Sequence, residues 1–393
     1  MIKIASIILI LVLSVTIVKA QSGLEKILSD VERNNKSIAA EKQYREAQKL
    51  SFKTGLNPEN PKVEYDHLPG RPEGAGTQQD FSVTQAFDFP TSYGKGRSVS
   101  TEQMEKAELE FMAARQELLL ETKLVCIDYI YKKKLQVELS KRMHNANTLL
   151  EAVTRQTQQG EASILDLNKV KLLQLEIKNQ ANLNATTMRT LQQKLDGLNG
   201  GIPLDLSSVD YPLLGPIQPF EILDSLIEAN DPEVKVIKQD KEISKEQLEL
   251  TRSMSLPKFE GGYHQQSILG QKYQGFHVGM TIPLWENKNR VKTETAQLLL
   301  SELQIAEHRN LHYYKNKQLY ERYMHWQNTS TEYEGILNSA NNEELLNKAL
   351  QAGQLSLIEY LMEVRYFYNA ILRSLEAEKA LHYQAAQLYK FQL

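Results

Sequence analysis

The sequence contains a single cysteine, Cys126, among 393 residues. An intrachain disulfide and the cysteine-rich zinc and iron–sulfur sites all need more than one cysteine, so they are excluded. The 46 basic and 49 acidic residues give a net charge of -3, and this lack of basic excess argues against a nucleic-acid partner. Nucleotide-binding and hydrolase motifs are missing too. We therefore expect no enzyme active site and no cofactor, and we predict that Cys126 is a buried apolar residue.

Histidines are few, and only one pair has metal-ligand spacing. His308 and His312 lie four residues apart and could share one face of a helix. No glutamate follows His308 to complete a metalloprotease motif, and no third ligand is evident. We predict a solvated helix face here and no metal site.

One apolar run lies near the start of the chain. Residues 4–18 are apolar and follow Lys3, and small or short residues occupy the -3 and -1 positions of a cut after Ala20. This pattern predicts a secretory signal peptide over 1–20. The run is shorter than the about 20 residues of a spanning helix, and no later segment is apolar enough to span. We expect the mature protein to act outside the cytoplasm.

Proline and glycine are nearly missing from two long segments. Each of 98–199 and 285–393 has no proline and two glycines, which predicts long helices. Both residue types are dense at 55–97 and 257–284, which predicts turn-rich β regions. They are dense again at 200–219, which predicts a linker.

The two halves of the chain repeat one pattern. Matching residues recur in the same order at offsets of 193 to 196 residues, which indicates a tandem duplication. We predict a first structural repeat over 21–199 and a second over 220–393. Each reads helix, strand, strand, long helix, tight turn, helix. Recurring residues include Pro61 and Pro257, Arg97 and Arg290, Gly160 and Gly353, and Ser163 and Ser356.

Each long helix is predicted to end at a lone glycine. The segments 97–159 and 290–352 have 63 residues each, which corresponds to roughly 95 Å of helix at 1.5 Å per residue. The turn glycines at 160 and 353 suit left-handed C-caps, and the serines three residues later suit N-caps of a returning helix. The sequence therefore predicts a mainly α fold with a small β part and two long helical hairpins.

Four segments alternate between apolar and polar residues, which predicts strands. Each has nine or ten residues, the length of a tilted strand that crosses a bilayer. Four strands cannot close a barrel, and an open sheet edge is not tolerated in lipid. Two chains would share eight strands and three would share twelve, and twelve strands leave room for a lumen. The predicted strands are 61–69, 80–89, 257–266 and 275–284.

This order of elements resembles the TolC family of outer-membrane efflux proteins. The Gly-x-x-Ser turns at 160–163 and 353–356 carry the resemblance, together with Phe-Asp-Phe-Pro at 87–90 and Thr-Ile-Pro-Leu-Trp at 281–285. The resemblance implies a homotrimer in outer-membrane lipid, with a shared twelve-stranded transmembrane β-barrel and a long periplasmic α-barrel. It implies a passive conduit for small solutes, drugs or metal ions, which docks on an inner-membrane pump through a periplasmic adaptor. The alternative is a periplasmic coiled-coil adaptor or structural protein, which explains the strands poorly.

The resemblance also assigns residues near the turns. In the family, the ends of the helical hairpins close the channel, and acidic rings lie just past the turn glycines. The matching positions are Asp166 and Glu359, with Glu363 beside the second-ring position. Alternatively, these carboxylates simply favour a helix start through the helix dipole. The tyrosine and arginine that latch better-known members are Leu350 and Leu355 here, so closure by other contacts is expected. The expected adaptor contacts are Gly160, Ser163, Gly353, Leu355 and Ser356.

Overall fold

The computed structural model describes residues 23–339 and 342–393, so the predicted signal peptide lies outside the described residues. The chain divides into two compact units, and each draws on both halves of the sequence. Among the described residues, unit 1 comprises 23–38, 116–220, 317–339 and 342–393. Unit 2 comprises 39–115 and 221–316. The compact units therefore cut across the two predicted repeats.

Helices account for most of the described residues, and the mainly α fold class is confirmed. None of the helices in the described ranges is long and apolar enough to cross a membrane. The helices are α1 (Gly23–Asn34), α2 (Lys36–Phe52), α3 (Pro90–Gln158), α4 (Ile164–Leu198), α5 (Phe220–Asn230), α6 (Pro232–Ser253), α7 (Arg290–Ser339), α8 (Asn342–Gln351) and α9 (Leu357–Leu388), followed by a 3₁₀ turn (Lys390–Gln392).

The first long helix starts earlier than predicted. Helix α3 has 69 residues and begins at Pro90, whereas its predicted start was residue 97 because two glycines precede it. Contacts to α6 stabilise the extra turns: the Thr91 hydroxyl contacts the Ser253 hydroxyl, and Lys95 Nζ lies 3.3 Å from Glu246 Oε2. Proline is favourable in a first helical turn, and these tertiary contacts outweigh the low helix propensity of glycine.

The β part is an antiparallel sheet in unit 2, with strands adjacent in chain order. All four predicted strands are present, but β2 and β4 begin three and four residues earlier than predicted. Leu269 and Gly270 explain the shift in β4, because both have positive φ and form a two-residue hairpin loop that lets pairing continue up to the turn. The strands are β1 (Lys62–Pro69), β2 (Thr77–Phe87), β3 (Lys258–Ile268) and β4 (Gln271–Thr281).

The linker of unit 1 is part of a hydrophobic core. Leu204, Leu206 and Val209 of the linker are buried against α1, α3 and α4. Cys126 of α3 lies in the same core and is 1% exposed, which confirms its predicted burial. Burial raises the pKa of Cys126 to about 12, so the thiol stays protonated.

An aromatic stack fixes the end of the linker. The ring of Tyr211 stacks on the imidazole of His382 in α9, with the centroids 4.2 Å apart. Lys134 Nζ lies 4.7 Å from the centroid of the Tyr211 ring and also pairs with Glu378. Burial, with a smaller contribution from Lys134, lowers the pKa of His382 to about 4. The stack therefore contains a neutral imidazole at neutral pH.

Acidification is expected to destabilise unit 1 through His382. In the unfolded chain this histidine binds a proton near pH 6.5, but in the folded chain it does so only near pH 4. Stability that is present above pH 6.5 is therefore lost progressively as the pH falls towards 4, by up to about 3 kcal/mol. The His382→Phe variant keeps a ring on Tyr211 and should lose most of this pH dependence in thermal unfolding between pH 7 and pH 5. The exposed His144→Phe variant is the control and should keep it; an unchanged dependence in His382→Phe would contradict the assignment.

Candidate functional sites at the hairpin turns and the sheet

The two hairpin turns of unit 1 have the same backbone geometry. Gly160 and Gly353 have φ values of 77° and 68°, a left-handed conformation that glycine adopts without steric cost. Two N–H groups at each turn donate back into the preceding helix in the Schellman pattern, which confirms the predicted C-caps. The bonds run from Gly160 to Thr157 (3.2 Å), Glu161 to Gln156 (2.8 Å), Gly353 to Leu350 (3.1 Å) and Gln354 to Ala349 (2.9 Å).

Serine caps the returning helix at both turns, as predicted. Ser163 Oγ accepts a hydrogen bond from the Leu165 N–H at 3.1 Å. Ser356 Oγ accepts from the Glu359 N–H at 3.3 Å, and the Glu359 carboxylate accepts from the Ser356 N–H at 2.8 Å. This reciprocal capping box lowers the pKa of Glu359 below its ordinary value, chiefly through the Ser356 backbone N–H.

The three candidate gate carboxylates have different surroundings. Asp166 is half-buried in the first turn of α4, and its Oδ1 lies 3.2 Å from Lys169 Nζ. Glu359 is exposed and caps the start of α9. Glu363 is exposed beside a groove between α7, α8 and α9. The first two therefore also make the helix-start interactions that were the alternative explanation for them.

One apolar core joins the two turns at one end of unit 1. Its buried members come from α3, α4 and α9, and Leu350 of α8 packs against it. The Tyr360 hydroxyl donates to Asn347 Oδ1 at 2.7 Å and so ties α9 to α8, a contact that the sequence did not predict. Leu350, where the resemblance leads one to look for a latch tyrosine, thus packs against this core. The buried members are Leu149, Val153, Leu167, Val170, Tyr360, Val364 and Tyr368.

Helix α4 is covered on one side only within the described part of unit 1. Leu167 is 7% exposed, whereas Leu165 and Leu172 on the same helix are each 66% exposed. Helix α4 therefore leaves these apolar side chains open to solvent in the single chain. The outward apolar residues of α4 include Leu165, Leu172, Leu175 and Leu183, which we call the α4 stripe.

One face of the sheet, called the apolar face, carries most of its large apolar side chains, and the other, called the polar face, is mainly polar. Tyr65 pairs with Phe81 and Tyr263 pairs with Phe276 on the apolar face, where Phe276 is 92% exposed. His264 lies on the polar face, since it pairs with Ser82 in the alternate rows. The outer edges of β1 and β4 have no strand partner among the described residues. A single chain therefore leaves both an apolar surface and two backbone edges uncovered.

The His308 and His312 pair is not a solvated face, and that prediction was wrong. The His312 side chain is 11% exposed, and its Nε2 lies 3.7 Å from Oδ2 of Asp231, the N-cap residue of α6. The rings of His308 and His312 stack with centroids 5.2 Å apart, and burial lowers the pKa of His308. The corner between α5 and α6 covers this part of α7. In the described part of the chain, no three His, Cys, Asp or Glu side chains are arranged to hold a metal ion.

Comparison with known proteins identifies the fold. No protein-family model matches the chain, and no curated protein matches its sequence. A membrane protein from Pseudomonas aeruginosa is similar in structure, with a TM-score of 0.76 and 13% identity over 95% of this chain and 94% of that one. The outer-membrane channel OprN has a TM-score of 0.79 and 11% identity over 94% of this chain and 89% of its own.

A third neighbour extends the same likeness. The outer membrane protein VceC from Vibrio cholerae has a TM-score of 0.72 and 11% identity, and the match covers 94% of each chain. At these identities the likeness shows the fold. The chain has the fold of outer-membrane channels, and this confirms the fold expected from the resemblance to the TolC family.

Substitutions at Glu359 should separate its capping role from its charge. The Glu359→Gln variant keeps an oxygen that can accept the Ser356 N–H bond, whereas Glu359→Ala removes it. We expect faster hydrogen exchange of the Ser356 amide in Glu359→Ala and little change in Glu359→Gln, measured by hydrogen–deuterium exchange of the 352–357 region. The Glu363→Ala variant is the control because it lies outside the capping box. Equal exchange in all variants would show that the capping bond does not stabilise the turn.

Proposed function

We propose that this protein is the outer-membrane channel of a tripartite efflux system. It acts as a passive conduit through which small solutes leave the cell, and a separate pump supplies the energy. The single observation that carries the proposal is the four-stranded sheet, which among the described residues has an uncovered apolar face and two unpaired edges. The fold shared with the outer-membrane channel OprN over 94% of this chain supports it.

The sheet accounts for a shared barrel. In lipid, each backbone N–H and C=O group at the edges of β1 and β4 needs a partner. Successive strands are antiparallel, so β4 of one copy and β1 of the next run in opposite directions and can pair. A ring of three copies closes a twelve-stranded barrel with its apolar face towards lipid, and this barrel is wide enough for a lumen.

The helices of unit 1 offer two complementary apolar surfaces. The α4 stripe is one, and the groove between α7, α8 and α9, lined by Ile336, Leu345 and Tyr366, is the other. Two different patches on one chain generate a ring when the rotation between copies closes. The helices of three copies would form the periplasmic α-barrel. Burial of the apolar surfaces would offset the conformational entropy that the interface side chains lose.

The exposed turns are the proposed contact with a periplasmic adaptor protein, through which the channel meets an inner-membrane pump. Their backbones are rigid because both ends of each turn are capped. The equal geometry of the two turns also supports the division into structural repeats at 21–199 and 220–393. The proposed contact residues are Gly160, Ser163, Gly353, Leu355 and Ser356.

We place the periplasmic gate at the same end of unit 1. Asp166 and Glu359 follow the two turns that share one apolar core, and Glu363 lies one turn further along α9. In a trimer each carboxylate repeats three times around the axis, which attracts cations and repels anions at a constriction.

The first experiment is a detergent-corrected mass measurement of protein extracted from the membranes of a Gram-negative host. We expect a mass of three mature chains, recovered in the outer-membrane fraction, because the strand edges need partner copies. The matched variant deletes the β3–β4 hairpin, 258–281, and should abolish recovery from that fraction. Soluble monomers or dimers of the unaltered protein in the periplasm would overturn the channel proposal and favour an adaptor or structural role.

The gate proposal is tested by ion selectivity. The double variant Asp166→Asn with Glu359→Gln removes two carboxylates and keeps the capping geometry. We expect the permeability ratio of K⁺ to Cl⁻ in planar bilayers to fall at least twofold. Glu161→Gln, which removes an exposed charge at the first turn, is the control. An unchanged ratio in trimers that conduct would refute the placement of these residues at the constriction.

A further inference from the structure

The polar face of the sheet carries more acid than base. The strand register places four carboxylates and two lysines on this face. Both lysines are already paired: Lys62 Nζ lies 2.5 Å from Glu64 Oε1, and Lys258 Nζ lies 3.4 Å from Asp88 Oδ1. The four carboxylates are Glu64, Asp66, Asp80 and Glu260.

Asp66 and Asp80 lie directly opposite each other on neighbouring strands. Like charges at opposed positions destabilise a sheet, so the pair does not serve the stability of the fold. Asp80 Oδ2 accepts a hydrogen bond from Gln78 at 2.9 Å. Asp80 Oδ1 is shielded from solvent and has no hydrogen-bond partner among the described residues. Positions that break a local rule in this way are characteristic of functional sites.

The nearest lysine on this face, Lys62, pairs with Glu64, and no cation lies in the pair's own row. On the next strand Asp80 faces Gln266, and Gln266 in turn faces Tyr273, so the row Asp66–Asp80–Gln266–Tyr273 contains no cation. Lys272 is the only other lysine in β3 or β4, and it belongs to the opposite face, where it pairs with Ser267. The row therefore has a net charge of -2 in each chain when both carboxylates are ionised.

The connections at this end of the sheet are short. Residues 70–76 join β1 to β2, and two residues, Leu269 and Gly270, join β3 to β4. The longer loop contains one basic and one acidic residue, Arg71 and Glu73, which balance. Loops this short have little reach to fold inward as a plug. In a barrel built from this sheet, the wall side chains therefore have the main influence on which ions pass.

We infer that Asp66 and Asp80 form a cation-selecting ring in the wall of the exit pore, and that cationic solutes pass there in preference to anionic ones. The inference rests on the proposed channel function. Three copies bring six carboxylates to neighbouring positions around the lumen. Acidic rings of this kind favour cations in pores, and the ring is separate in sequence and in unit from the gate carboxylates Asp166 and Glu359.

The test is the reversal potential of purified trimers in planar bilayers across a tenfold KCl gradient. We expect the double variant Asp66→Asn with Asp80→Asn to lower the permeability ratio of K⁺ to Cl⁻ at least threefold. Asparagine has nearly the same shape and removes the repulsion between the pair, so the sheet should still form. The double glutamate variant, D66E with D80E, keeps the charge and should keep the preference. Glu73→Gln, which removes a loop carboxylate, should change the ratio by less than twofold.

Measuring the cation preference at several salt concentrations tests the ring in the unaltered protein. The Debye length falls from about 10 Å at 0.1 M to about 3 Å at 1 M salt. The cation preference of the unaltered protein should therefore be at least twofold larger near 0.1 M than near 1 M KCl. A preference that does not change with salt would count against wall charges as its origin. Repeating both measurements with Asp166→Asn and Glu359→Gln already in place removes the contribution of the gate.

The outcomes separate the two proposals. Trimers that conduct with an unchanged ratio in the Asp66→Asn and Asp80→Asn variant overturn the ring and leave the channel function intact. A preparation of the unaltered protein that forms no conducting trimer overturns the channel function and the ring together. A loss of preference in the asparagine variant that the glutamate variant does not share supports the ring.

Discussion

The unpaired edge of a β-sheet is the constraint on which the rest of this structure depends. Each strand residue presents a backbone donor and acceptor, and β1 and β4 leave one side of theirs without a strand partner in the described chain. In water an exposed edge invites aggregation, and in lipid it is not tolerated. The apolar face also needs a cover, because Phe276 and Val278 are almost fully exposed to water in a single chain. A sheet of this kind is complete only in an assembly.

The long helical hairpins are constrained by the backbone groups at their turns. Each long hairpin reverses direction at one glycine, and the turn needs satisfied backbone groups although few neighbours surround it. Paired Schellman bonds before the glycine and a serine cap after it supply them at both turns. The core formed by residues such as Val170 and Val364 then holds the turns together. Carboxylates such as Glu359 can contribute to the local fold and still present charge to solvent.

Local chemistry explains what the sequence could predict. The absence of proline predicted the long helices, and the alternation of apolar and polar residues predicted the strands. The turn glycines and the serines that follow them predicted where the helical hairpins reverse direction. The errors lie where distant residues decide. Contacts to Ser253 and Glu246 start α3 at Pro90, and Asp231 covers His312. The pairing of Asp66 with Asp80 depends on strand register, which a list of residues does not contain.

The tight turn at Leu269 and Gly270 affects how much of the protein antibodies and bacteriophages could reach at the cell surface. In the proposed channel, the strand ends away from the helices would face outward, so that turn and the segment 70–76 would be what each copy shows to the outside. Antibodies and bacteriophages bind outer-membrane proteins at protruding loops, and the nine loop residues of each copy form only a small surface. The proposed channel would therefore present few outward residues for an antibody or a bacteriophage to bind.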